Sequence, residues 1–81
     1  MRNRELPKHA LVDYLKERCD CVTDYELARE LNVAASMISK YRWRTCAVSP
    51  ALILDIHEKF DMPVAAIKLL IEEANDQFAH R

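Results

Sequence analysis

Lys40, Arg42 and Arg44 are the only charged side chains between Asn32 and Leu54, a stretch without a single acidic residue. Ser36, Ser39 and Thr45 lie among them, so one short segment concentrates hydroxyls and cations, the mixture that meets base edges and phosphates. At helical spacing Ala35, Ser36, Ser39 and Lys40 share an outward face, while Met37, Ile38 and Tyr41 point inward. These outward residues suit a DNA groove: Ala35 offers a methyl contact, Ser36 and Ser39 offer hydrogen bonds, and Lys40 reaches towards a purine edge. Arg42, Arg44 and Thr45 suit the phosphate backbone, because no acid close in sequence is available to pair with the arginines. A solvated helix face is the competing reading of the serines and lysine. For Trp43 the competitor is an indole packed on a core edge.

Other chemistry finds less support. Cys19 and Cys21 form a C-x-C pair with Cys46 far away, and with His9 or His57 they match no common zinc spacing, so buried or idle thiols are expected. The chain contains no glycine, which excludes a glycine-rich phosphate cradle, and no nucleophile and base stand at catalytic spacing. No enzyme, cofactor, metal site or small-molecule ligand is indicated. His57 is expected on a helix surface.

Positioning the polar face falls to two short helices and the turn between them. Thr23 and Glu26 form a capping box at the start of the first, and Leu27, Ala28 and Leu31 make its apolar face. Asn32 then falls where the chain must turn sharply, and Asn tolerates the left-handed backbone such a turn needs. Upstream, Pro7 is expected to open a helix carrying Leu11, Tyr14, Leu15 and Cys19, with residues 20–22 as the connection. Downstream, Ser49 and Pro50 form a strong start signal for a fourth helix. The fifth begins near Pro63 and carries Val64, Ile67, Ile71, Ala74 and Phe78 at three-four spacing, a stripe that Leu69 and Leu70 broaden.

Residues 23–50 resemble the helix-turn-helix of the lambda-repressor-like (Cro/CI, or XRE) family of small transcription regulators. Ala28 matches the family's close-packing position, and Ile38 and Tyr41 match the buried positions of its recognition helix. The likeness extends through Ser49–Pro50, Leu52, Ile53, Ile56, Phe60, Met62–Pro63–Val64 and Ile67, covering about residues 9–72. Asp24 stands where the family usually has Gln, Asn32 where it has Gly, and Trp43–Arg44 where it has Asn-Gly. The resemblance implies an all-α, five-helix domain spanning 1–81, with the motif at about 23–43 and an extended last helix at about 63–78. It further implies a sequence-specific regulator of phage or bacterial origin that represses by occupying a palindromic operator in double-stranded DNA. The alternative is a protein-interaction module, an antirepressor or adaptor, that keeps this fold without DNA binding.

Composition fits one small domain. The 81 residues are 51% hydrophobic and 31% charged, too apolar for disorder, and no apolar run reaches membrane-spanning length. The N-terminal residues lack the apolar core of a secretory signal, and an odd count of three cysteines suits a reducing compartment, so a cytoplasmic location is expected. A net charge of −1 argues against indiscriminate polyanion binding, but the cations are placed unevenly. They cluster in the acid-free stretch and in the N-terminal arm with Arg2, Arg4 and Lys8, opposite a largely acidic remainder.

The long apolar stripe of the last helix leads to the expectation of a homodimer through Ile71, Ala74 and Phe78. Such a dimer would set two recognition helices about 34 Å apart, one DNA turn. The competing reading folds the tail back on the first helix and buries the same residues within a monomer.

Overall fold

The structure, a computed structural model, describes residues 6–79. Arg2 and Arg4 of the basic arm lie outside the described residues. Five helices follow one another, α1 (Ala10–Arg18), α2 (Asp24–Leu31), α3 (Ala35–Arg42), α4 (Pro50–Phe60) and α5 (Val64–Ala79), and the described residues include no strand. The described residues are therefore all-α, as the helical spacing predicts.

Local signals start most of these helices. Thr23 Oγ1 accepts from the Glu26 amide at 3.1 Å and caps α2. The Glu26 carboxylate reaches one residue further than a capping box requires, accepting from the Val22 amide at 2.7 Å. Ser49 Oγ accepts from the Leu52 amide at 3.2 Å, with Pro50 as the first residue of α4. The first helix departs from expectation. Pro7 does not open it; α1 starts at Ala10, and His9 is its cap, with Nδ1 accepting from the Val12 amide at 3.3 Å. Asp13 completes the arrangement by accepting from the His9 amide at 3.2 Å.

Turns in a glycine-free chain require side-chain-bearing residues at positive φ, and Asp20, Asn32, Arg44 and Asp61 take it, at 62°, 59°, 59° and 54°. The first three close helices in the same manner. Cys21 N donates to Lys16 O at 2.8 Å, Val33 N to Ala28 O at 2.9 Å, and Thr45 N to Lys40 O at 2.9 Å. In each case the left-handed residue just before donates three residues back, the paired-bond closure usually built on glycine. Asn32 thus sits in the conformation its residue type suggests. Cys19 and Cys21, which flank Asp20, are joined as a disulfide, correcting the expectation of idle thiols; Cys46 is a free, exposed cysteine.

Leu11, Leu15, Leu27, Leu31, Ile38, Ile56 and Ile67 are fully buried and draw on every helix. Ala28, also buried, keeps α2 close to α3, while α4 packs on α2 and α5. The last helix lies against α1, and Ala74 is fully buried there. This corrects the expected dimer surface at Ala74, which the fold covers from within. Ile71 packs against the core, and Phe78 is half-buried beneath the Arg44 guanidinium, 4.6 Å from its ring centroid. The physical reason is that α1 presents Leu11, Val12 and Leu15 as an apolar face needing a partner, and the three-four stripe of α5 supplies it. No helix among the described residues is long and apolar enough to cross a membrane.

Candidate nucleic-acid interface

The sequence-expected base-reading residues all reach the surface together. Ala35, Ser36, Ser39 and Lys40 are exposed on α3, and the same helix buries Ile38 and Tyr41 and half-buries Met37. Ala34, the residue before α3, makes no side-chain cap, so the first turn of the helix carries neither an acidic group nor a capping carboxylate. Its last turn leads into an exposed Thr45, whose hydroxyl donates to Lys40 O at 3.2 Å. The hydroxyl oxygen keeps its lone pairs, and Lys40 is exposed one turn earlier. The face is therefore one of methyl, hydroxyl and ammonium groups, with its backbone fixed by the core on one side and by the Arg44 turn at its end.

Arg42 is not part of that face, which overturns its assignment to the phosphate backbone. Its guanidinium is 4% exposed and its donors are all directed into the fold. Nε and Nη2 bond Asp24 at 2.8 and 2.9 Å, Nη2 also bonds Asp13 at 2.8 Å, and Nη1 bonds Pro7 O at 2.8 Å. One arginine at the end of α3 thereby fixes the start of α2, the first turn of α1 and the segment before it. Lys16 adds a 3.0 Å ion pair to Asp24. Burial opposes the charge on Arg42, but its hydrogen bonds to Asp24 and Asp13 outweigh that and hold its pKa above the ordinary value. For Asp24, burial pushes the pKa up, and the bonds from Arg42 and Lys16 overcome it, leaving the carboxyl below its usual range. The Asp24 carboxylate is thus matched by two cations.

Arg44 is also turned inward. Its guanidinium donates to Arg42 O and Ala74 O and stacks on Phe78, so it ties the end of α3 to α5. Its positive φ falls where the family resemblance places glycine. Trp43 is 39% exposed. Lys8 is exposed ahead of α1. His57, on α4, is exposed and its Nδ1 lies 2.5 Å from Met62 O. Among the described residues no group of three or more His, Cys, Asp or Glu converges as metal ligands would.

Sequence reasoning missed His9 as a structural element. It is 3% exposed, and its pKa is lowered to about 4, first by burial and then by the positive charges of Arg44 and Arg42, with Asp13 acting in the opposite sense. A signal existed, since His9 precedes Asp13 by one helical turn, but histidine is not a strong cap in isolation. No protein-family model, curated protein or solved structure matches the chain.

Proposed function

We propose that this chain is a sequence-specific binder of double-stranded DNA that regulates transcription, with α3 lying in the major groove. The observation that carries this reading is the α3 face itself: Ala35, Ser36, Ser39 and Lys40 are exposed together with no acidic residue from position 32 to 54. In the proposed complex Ser36, Ser39 and Lys40 read base edges, Ala35 contacts a thymine methyl group, and Thr45 bonds a phosphate. Occupying a promoter represses it. A homodimer on a palindromic operator belongs to the same proposal, with Ile71 and Phe78 only half-covered by the monomer and Leu69 exposed on α5.

A second reading, a protein-interaction module of the same fold, is favoured by one observation. Both arginines of the acid-free stretch are turned into the structure, which leaves Lys40 as its outward cation. Salt dependence separates the two. With Lys40, Lys8 and the arm residues Arg2 and Arg4 as phosphate partners, the slope of log K against log salt for a bound protomer should be about −2 to −4, at close to −0.9 per neutralised phosphate. Fluorescence anisotropy on random duplex, from low to physiological salt, reads that slope. Absence of duplex binding even at low salt supports the interaction module instead.

A further inference from the structure

A cavity of about 200 Å³ lies between the residue before α1, the α3–α4 connection and α5. A cavity of about 150 Å³ holds a benzene-sized guest, so this one admits a small organic molecule. Its walls are of two kinds. Val48 and Ile71 are apolar, while His9, Tyr41, Arg44 and Asn75 bring polar atoms to it, and none of the described lining residues carries a carboxylate.

Two of those polar side chains are more than nine-tenths buried: His9 is 3% and Tyr41 5% exposed. His9 Nδ1 accepts from the Val12 amide as the α1 cap, so the ring proton resides on Nε2. Neither His9 Nε2 nor the Tyr41 hydroxyl has a hydrogen-bond partner among the described residues. Neither atom is sealed from solvent, so each is open to the cavity, where water or a ligand can accept from it. The Arg44 guanidinium, held by Arg42 O and Ala74 O, places a positive charge at the same cavity. We propose that the cavity is a binding site for a small carboxylate with a compact apolar body, its carboxylate accepting from His9 Nε2 and Tyr41 Oη and its body lying against Val48 and Ile71. The site stands independently of DNA binding.

Benzoate is a suitable probe, and Cys46, which also lines the cavity and is a free cysteine, is a built-in reporter. Titrating the full chain with benzoate should shift the His9 and Tyr41 ring signals in NMR spectra to saturation. The same concentrations should slow alkylation of Cys46, and benzyl alcohol should bind more weakly. Tyr41→Phe keeps the buried ring and removes only the hydroxyl, so its melting temperature should match the parent's while benzoate affinity falls about five- to tenfold. Ile71→Phe fills the cavity from α5 and should abolish both the shifts and the protection of Cys46. Shifts that rise linearly into the tens of millimolar, unchanged affinity in Tyr41→Phe, or undiminished binding in Ile71→Phe would each overturn the proposal.

Discussion

Two buried side chains, His9 and Arg42, fix the beginning of α1 relative to the end of α3, and each has a measurable signature. His9 must be neutral to accept at Nδ1, and its folded pKa of about 4 lies below the ordinary 6.5. Above pH 6.5 the ring is neutral in both states, so its contribution to stability is fully present. As pH falls from 6.5 to about 4, the unfolded chain takes up a proton that the folded chain refuses, and stability declines by up to about 3 kcal/mol. Asp24, whose pKa is depressed, contributes stability that is present above its ordinary value of 3.8 and is lost as pH falls below it, so most of the His9 effect lies at higher pH. His9→Asn retains a good cap and removes the titration; urea melts across this window should show a flatter profile for the variant than for the parent. For Arg42, loss of the guanidinium removes the donor to Pro7 O and leaves Asp24 with Lys16 and Asp13 with the His9 amide, and Arg42→Met should cost about 2–4 kcal/mol, towards the lower end because both carboxylates are partly solvated and keep another donor. In a double-mutant cycle, Arg42→Met combined with Asp24→Asn should cost less than the sum of the two single changes. An additive result would mean that the pair is not coupled.

At the scale of elements, what the sequence discloses is what acts locally. Thr23 and Ser49 are hydroxyl caps placed before apolar runs, Pro50 has preset geometry, and Asn32 is the residue type that occupies left-handed turns; all four sit as their types suggest. The α3 face is equally legible, since helical spacing alone separates Ser36 and Lys40 from Ile38 and Tyr41. Arg42 was not legible, because its acidic partners are 18 and 29 residues away, and separation along the chain says nothing of distance in the fold. The same holds for α5, whose apolar stripe is visible but whose partner, α1, is chosen by packing. His9 depends on both effects, a weak cap made effective by burial. Left-handed Asn32, at φ 59°, gives this scale its test. Asn32→Gly should match or slightly exceed the parent in thermal melts, whereas Asn32→Val should lose about 1–2 kcal/mol, because a branched Cβ is poorly accommodated there. A Val variant as stable as the parent would remove positive φ as the basis of the turn between α2 and α3.

For the whole molecule, the acid-free stretch does two jobs at once. Arg42 and Arg44 face inward and brace α3 against α1, α2 and α5, while Ala35, Ser36, Ser39, Lys40 and Thr45 remain outward. The bracing explains how a helix of eight residues can be held rigidly enough to present a defined pattern of groups. On the proposed reading, affinity for DNA would rest on few phosphate contacts, and discrimination between sequences would depend on the α3 face. The most direct test is to select bound duplexes from a random pool with the parent and with Lys40→Ala, and to compare the preferred sequences. The account expects the parent to enrich a defined site and Lys40→Ala to relax preference at one position, by about 1–3 kcal/mol, leaving the others intact. Enrichment of no sequence by the parent, or a uniform loss across all duplexes in Lys40→Ala, would contradict the claim that α3 reads DNA.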